Sequence, residues 1–180
     1  MKTKIKISIM IFIITLMFLS CSQETTPDDS QSNLLPFTIS SSAFNQGEYI
    51  PVKYTCDGEN ISPSLNIVNI PAKTKNLALI MEDPDAPRGN WMHWLVVNIN
   101  TNTTQISENG VPYNAFQGMN SGGRNQYDGP CPPSGTHRYF FRLYALDSDV
   151  SLDKLDESRF KAAIADHIIA ETEFYGIYGR

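Results

Sequence analysis

The chain has 180 residues, of which 41% are hydrophobic, 11% aromatic and 18% charged. These values match an average globular protein and exclude a chain that is disordered along its whole length. The net charge of −5 and the sequence pI of about 5.1 argue against a nucleic-acid-binding protein, because neutralising phosphates requires a basic surface. No run of 18 apolar residues occurs in the sequence, which excludes a multi-span channel or transporter.

The first twenty residues have the pattern of an export signal. Lys2, Lys4 and Lys6 form a basic start, and residues 7–19 form an apolar stretch of 13 residues. This stretch is too short to span a bilayer comfortably and fits the apolar centre of a signal peptide. The sequence therefore predicts a lipoprotein-type signal peptide over residues 1–20.

Cys21 directly follows the apolar stretch. The ending Phe18-Leu19-Ser20-Cys21 resembles a bacterial lipobox, in which the cysteine is acylated and becomes the N-terminus, although Phe18 stands where leucine is usual. We expect a lipid anchor at Cys21; the alternative is ordinary cleavage nearby that leaves Cys21 as a thiol. Three acyl chains would hold the protein firmly at a membrane. Because Ser22 follows Cys21, the expected location is the outer membrane of a bacterial cell envelope, facing the periplasm or the surface.

A polar, acidic segment separates the anchor from the rest of the chain. Residues 21–35 contain Cys21 and what we interpret as a flexible tether. One folded domain is expected over residues 36–180. Without the signal, the chain carries 11 basic and 19 acidic side chains and a net charge of −8.

Two cysteines, Cys56 and Cys131, remain once Cys21 is acylated. In an oxidising compartment they could form a disulfide, which would close a loop of about 75 residues and contribute roughly 4 kcal/mol. Two buried thiols are an equally good interpretation, because the sequence does not place the two Cα atoms within reach of each other.

Four segments have the composition of β-strands, and clusters of Pro, Gly and Asn separate them. They are residues 49–55, 77–82, 91–99 and 138–146. The pattern predicts a mostly-β domain of antiparallel sheets packed face to face.

One α-helix is predicted near the C-terminus. Its apolar positions recur at helical spacing: Phe160, Ala163, Ile164, His167 and Ile168. Ser158 is the expected N-cap, and two glycines, Gly176 and Gly179, lie beyond the expected end. His167 is interpreted as a core or helix-end residue.

Two proline-rich loops stand next to the predicted strands. Asp83-Pro84-Asp85-Ala86-Pro87 follows the second strand, and its prolines largely set its shape. It is either a preorganised pocket wall or a stiff surface turn. Residues 129–135 form the other loop.

Each loop lies close to a histidine. Period-two counting places His93 on one strand face: Trp91, His93, Leu95, Val97 and Ile99. His137 shares a face with Tyr139, Phe141 and Leu143. Each histidine could be a satisfied core residue or a ligand-binding group.

Asp83, Asp85, His93 and His137 would form a polar cluster if their strands are neighbours. Such a cluster could bind phosphate or a carboxylate, because imidazole nitrogens can donate or accept. It could also bind Zn²⁺, but no metal-binding spacing supports a metal site. The sequence contains no nucleophile elbow, Walker loop or dinucleotide fingerprint, so we expect neither an enzyme nor a cofactor.

The loop sequences resemble those of the phosphatidylethanolamine-binding protein (PEBP) family, in its bacterial Raf-kinase-inhibitor-like branch. Four stretches carry the resemblance, which covers residues 37–180: residues 56–63 (CDGENISP), 83–94, 129–139 and 176–180. The resemblance implies a β-sandwich with a C-terminal helix, small peripheral helices and a small anion pocket at one end.

The resemblance also implies which residues bind the ligand, a phosphate, a carboxylate or a phosphorylated head group. They are Asp83, Asp85, Pro87, Trp91, His93, Pro132, Gly135, His137 and Tyr139. The carboxylates would orient the imidazoles and raise their pKa, so that the histidines donate to the anion.

The chain departs from the animal members of the family at residues 88–90, where its insertion is short. Kinase binding of the animal kind therefore does not transfer. The leading hypothesis is a membrane-anchored binding protein for a small anion, which could regulate or inhibit an unknown partner protein. Alternatives are an inhibitor of an envelope protease and a metal-assisted or acid–base hydrolase that uses the Asp/His cluster.

Overall fold

The computed structural model describes residues 35–151 and 155–180. Within them lie eight strands and one α-helix: β1 (Thr38–Ser41), β2 (Leu65–Val68), β3 (Asn76–Asp83), β4 (Trp91–Asn100), β5 (Gln105–Ile106), β6 (Phe116–Gln117), β7 (Thr136–Leu146), α1 (Glu157–Ile164) and β8 (Ile168–Gly179). The predicted signal peptide, the Cys21 anchor and nearly all of the predicted tether lie outside the described residues. None of the described helices is long and apolar enough to cross a membrane.

The strands form two antiparallel sheets that enclose one core. The small sheet has the order β1-β2-β5, and the large sheet has the order β6-β4-β3-β7-β8. Apolar side chains from both sheets, such as Ile67 of β2 and Phe141 of β7, pack together between them. The predicted mostly-β class with antiparallel sheets is confirmed.

β3 is the central strand of the large sheet and is buried along nearly its whole length. One face contributes Leu79 and Met81 to the core between the sheets. The other face contributes Ala78 and Ile80 to a second apolar cluster, which Phe160 of α1 covers. Because both faces are covered, the sequence of this strand is a nearly continuous apolar run. The predicted strands at 77–82, 91–99 and 138–146 correspond to β3, β4 and β7.

Period-two counting places the odd-numbered side chains from Trp91 to Ile99 on one face of β4. In the structure these side chains do not share one face. Trp94 pairs with Met81 and Met92 pairs with Glu82, so His93 is an extra residue in a β-bulge. A second irregularity accompanies Asn98, whose φ is +56°.

The two irregularities change which β4 side chains face the core. Leu95 and Val97 pack in the cluster under α1, whereas Ile99 packs between the sheets. The bulge turns His93 toward Tyr139 of β7, whose ring centroid lies 5.2 Å from that of the imidazole.

The prediction of a strand over residues 49–55 is wrong. Tyr49 makes a single bridge to Ile177, and Val52–Tyr54 form one turn of 3-10 helix. Pro51 explains the change, because it has no N–H to continue a ladder and its φ of −57° suits the turn that follows.

The C-terminal helix is shorter than predicted. α1 ends at Ile164, so His167 and Ile168 lie outside it. Asp156, and not Ser158, is the N-cap: its side chain accepts a hydrogen bond from the Arg159 N–H at 3.0 Å.

Strand β8 occupies the segment beyond this helix. It pairs with β7 from Thr136↔Gly179 to Leu146↔Ile168. Phe174, Gly176 and Tyr178 are buried and alternate with partly exposed residues, which is the period-two pattern of a strand.

The packing of α1 on the sheet can be tested at Phe160, which is fully buried and contacts the Tyr144 ring. We expect Phe160→Ala to lower the free energy of unfolding by about 3–5 kcal/mol, through lost burial and a residual cavity. Phe116→Ala is the matched control, because Phe116 is half exposed on β6; it should cost less than about 1 kcal/mol. Urea denaturation measures both values, and equal costs would contradict the packing described.

Candidate functional site

A cavity of about 570 Å³ opens at one end of the large sheet. β3 ends where its two antiparallel neighbours, β4 and β7, begin, and this places Asp83, His93 and His137 together. Loops complete the wall. The lining residues are Cys56, Asn60, Asp83, Ala86, Pro87, Arg88, Trp91, His93, Arg124, Asp128, Gly129, Cys131, Pro132, Pro133 and His137.

Asp83 and His137 form a buried hydrogen-bonded pair. His137 Nδ1 lies 2.7 Å from Asp83 Oδ2, and the two side chains are 10% and 5% exposed. An ionised carboxylate only accepts hydrogen bonds, so the imidazole N–H on Nδ1 donates to it. The other carboxylate oxygen accepts from the Asp85 N–H at 2.8 Å. The pair fixes the ring and leaves Nε2 of His137 for a ligand.

His93 has a different partner. Its Nδ1 lies 2.7 Å from the backbone carbonyl of Asp128, to which it donates. In return, the Asp128 N–H donates to the carbonyl of His93 at 3.0 Å, which satisfies the bulged residue. Burial lowers the pKa of His93.

The expectation that carboxylates raise the pKa of both histidines is therefore wrong for His93. Its ring partner is a neutral carbonyl, and desolvation outweighs the attraction of Asp83 and Asp128. His93 is neutral at pH 7, and its Nε2 is an acceptor.

Tyr139 lies behind the two histidines and does not line the cavity. Its ring is stacked on His137 at a centroid distance of 6.5 Å and meets His93 edge-on. Burial, together with the charge of Asp83, raises the pKa of the Tyr139 hydroxyl well above its usual range, so that hydroxyl stays protonated. Tyr139 supports the imidazoles through ring packing.

Asp85 also stands outside the cavity lining. Its carboxylate accepts three hydrogen bonds from Arg138: from the backbone N–H at 3.0 Å, Nε at 2.9 Å and Nη2 at 2.7 Å. These contacts lower the pKa of Asp85 to about 2. Asp85 thus connects the loop of residues 83–87 to β7, which keeps Asp83 in place.

Of the remaining predicted residues, three line the cavity and one does not. Pro87, Trp91 and Pro132 line the cavity and make much of its wall apolar. Gly135 does not line it; with a φ of +72°, it forms the turn before β7 and exchanges two backbone hydrogen bonds with Arg180.

Several lining residues were not predicted from the sequence. Asn60 has a φ of +58°, and its Oδ1 accepts the Gly129 N–H at 2.7 Å. Arg124 pairs with Asp128 at 2.6 Å, a spacing of four residues within a glycine-rich loop. Arg88 could have been found, because it directly follows the proline-rich loop. Arg124 could not, because nothing in the sequence folds its loop back over β4.

The structure joins Cys56 and Cys131 in a disulfide, with the Cα atoms 5.5 Å apart. The bridge links the loop after the 3-10 turn to the loop before β7. Tyr127 strengthens this link, because its hydroxyl donates to the Tyr54 carbonyl at 2.8 Å. The two loops therefore form one continuous wall of the cavity.

These features define a two-sheet β-sandwich with a histidine-lined cavity at the end of its central strand. The chain belongs to the phosphatidylethanolamine-binding protein family, whose profile matches residues 40–179. The family that the loop motifs indicated is thereby confirmed.

Similar proteins occur in archaea and bacteria. A UPF0098 protein of Methanothermobacter thermautotrophicus is 46% identical over 144 residues, 77% of this chain and 95% of the relative. One from Chlamydia pneumoniae is 45% identical over 149 residues, with the same coverage.

Two solved structures share the fold. A putative PEBP homologue from Chlamydia trachomatis has a TM-score of 0.77 and 39% identity, covering 80% of this chain and 97% of its own. YbcL of E. coli, described as a member of the mammalian PEBP family, has a TM-score of 0.76 and 30% identity, covering 81% and 99%.

The Asp85–Arg138 contact predicts a specific pH dependence. Because the pKa of Asp85 is lowered from 3.8 to about 2 in the folded protein, its stabilisation is complete above pH 4 and is lost as the pH falls toward 2. Asp85→Asn should cost about 1–2 kcal/mol at pH 7, after allowance for solvent screening, and much less at pH 2. Asp166→Asn, at an exposed turn residue, is the control. Urea unfolding across this pH range checks the prediction, and a constant difference would contradict it.

Proposed function

We propose that the protein binds a small anionic or phosphorylated ligand in the histidine-lined cavity. The observation that carries the proposal is that His93 and His137 both line it, each with Nδ1 already hydrogen-bonded. The ring nitrogen left to each histidine is Nε2. Two imidazoles oriented in this way are suited to a ligand that both donates and accepts hydrogen bonds.

Partly protonated phosphate has this property. A neutral His93 accepts a hydrogen bond from a P–OH group, and Nε2 of His137 is left for a second oxygen of the phosphate. Phosphomonoesters have a second pKa near 6, so both forms are populated around neutral pH. Arg88 and Arg124 add positive charge at the lining. Of the carboxylates next to the site, Asp83 thus orients the His137 imidazole and Asp128 pairs with Arg124.

The size and the walls of the cavity favour a compact ligand. A volume of about 570 Å³ is typical of small-molecule sites. The name of the family supports a phosphorylated head group as one candidate. The apolar lining, formed by Trp91 and the prolines, is too small to hold a complete lipid.

The Asp83–His137 pair also favours a second candidate, acid–base hydrolysis. A carboxylate that holds Nδ1 and leaves Nε2 toward a cavity has the geometry of a general base. Release of inorganic phosphate from phosphoethanolamine, followed during the binding measurement below, distinguishes this candidate from simple binding.

The binding proposal predicts that His137→Ala weakens binding at least about tenfold, because a hydrogen bond to a charged ligand is worth roughly 1.5–3 kcal/mol. Calorimetric titration with inorganic phosphate, phosphoethanolamine and acetate measures the affinity. His167→Ala is the matched control, because His167 is exposed and pairs with Asp147 away from the cavity. The proposal is wrong if both variants bind like the wild type, or if none of the three compounds binds.

We also propose that Cys21 is acylated and holds the domain at the outer membrane of a bacterial envelope, where it could regulate or inhibit a partner protein. This part of the proposal is supported by the sequence of residues 1–22 alone.

The lipid anchor predicts that an alkyne-labelled fatty acid supplied to expressing cells becomes attached to the protein. Cys21→Ser should abolish the label, because no thiol remains to be acylated. Ser22→Ala leaves the cysteine in place and should keep the label. Equal labelling of wild type and Cys21→Ser would refute the anchor.

A further inference from the structure

The Cys56–Cys131 disulfide is part of the cavity wall, and its two ends differ in accessibility. Both cysteines line the cavity. Cys131 is exposed, although its neighbours Pro130 and Pro132 are buried, and Cys56 is only partly exposed. As a whole residue, Cys131 is therefore the more accessible end of the disulfide.

The two ends also differ in their electrostatic surroundings. Arg180 Nη2 lies 2.9 Å from Cys56 Sγ. The guanidinium is held in place by Asp57, whose Oδ2 accepts from Arg180 Nε at 2.8 Å and from the Tyr178 hydroxyl at 2.7 Å. Of the two disulfide sulfurs, Cys56 Sγ is the one hydrogen-bonded to this guanidinium. A negative charge on Cys56 would be stabilised at once, because the guanidinium is already positioned.

We propose that this disulfide is a modification site for a small thiol, such as glutathione, and that the thiol attaches to Cys131 and not to Cys56. The thiol loses its proton to solvent, and its sulfur attacks Cys131 Sγ to form a new S–S bond. The electron pair of the old bond leaves with the Cys56 sulfur, which becomes a thiolate paired with Arg180. The incoming thiol is oxidised and Cys56 is reduced, so the number of disulfide bonds does not change.

The choice of Cys131 as the attacked sulfur follows from leaving-group chemistry. Thiol–disulfide exchange is faster when the departing sulfur has a lower pKa, and a neighbouring arginine lowers the pKa of a thiol. Attack on Cys131 expels the sulfur that is hydrogen-bonded to Arg180, whereas attack on Cys56 would expel the sulfur that lacks this hydrogen bond. Access and leaving-group stability therefore favour the same product.

The wall remains attached after the bond opens. The Cys56 N–H donates to the Pro130 carbonyl at 3.1 Å, and the Gly129 N–H donates to Asn60 at 2.7 Å. These contacts hold the two loops together without the disulfide. An adduct on Cys131 would then occupy part of the cavity and block the anion. That consequence, unlike the exchange itself, rests on the proposed function.

The test incubates the purified full chain with millimolar reduced glutathione, quenches samples with acid and blocks free thiols with N-ethylmaleimide. Peptide mass spectrometry then assigns each modification. We expect glutathione on Cys131 and maleimide on Cys56. Glutathione mainly on Cys56, or no adduct on either residue, would overturn the proposal.

Arg180 provides the mechanistic control. Arg180→Gln should slow exchange at least about threefold, because the leaving thiolate loses its cation. Arg180→Lys keeps the charge and should restore much of the rate. Lys75→Gln removes one positive charge before the opposite end of β3 and should leave the rate unchanged. If Arg180→Gln exchanges as fast as the wild type, the assignment of Cys56 as leaving group is wrong; if that variant does not fold, the site of the adduct in the wild type decides.

A phosphate titration of the glutathione adduct separates the two proposals. Loss of binding in the adduct, with binding intact in the untreated protein, supports both. An adduct on Cys131 in a protein that never binds an anion retains the exchange site and rejects the proposed function. Unchanged binding in the adduct rejects the blocking effect.

Discussion

The antiparallel pairing of β3 with both β4 and β7 is the constraint on which the site depends. It places the last residue of one strand, Asp83, next to the first residues of two others. His137 comes within 2.7 Å of that carboxylate because β7 begins there. A shift of β3 by one residue would exchange the larger side chains that pack between the sheets, such as Leu79 and Met81, with Ala78 and Ile80, which pack under α1. The packing on its two faces therefore fixes this arrangement.

Much of the fold could be predicted because the central strands are sheltered on both sides. Residues 77–82, 91–99 and 138–146 carry enough apolar and β-branched side chains to show their structure locally. The edge of the sheet was harder to predict. β8 begins with exposed Ile168 and Ile169 and alternates acidic and apolar residues, a pattern that a helical interpretation of the preceding segment extends into. Pairing with β7, which is not local in sequence, decides its structure.

The site shows the same division between local and tertiary information. The proline-rich loop and the two histidines could be identified from their motifs, and they do lie around one cavity. The roles of Asp85 and Tyr139 could not be separated from that of Asp83 in the sequence. Asp85 faces Arg138, and Tyr139 lies behind the imidazoles. Those differences arise from the direction of each side chain at the end of a twisted, bulged sheet.

The bulge at His93 has a chemical consequence that spacing alone does not reveal. It pairs His93 with the backbone of Asp128, so the ring binds a carbonyl instead of a carboxylate. His137, one strand away from β3 on the other side, binds a carboxylate. The two histidines of one cavity therefore have chemically different Nδ1 partners, although Nε2 is left over in both. Under the proposed function, a site built in this way would distinguish ligands by their protonation as well as by their charge, because a fully ionised anion cannot donate to a neutral His93, whereas a partly protonated one can.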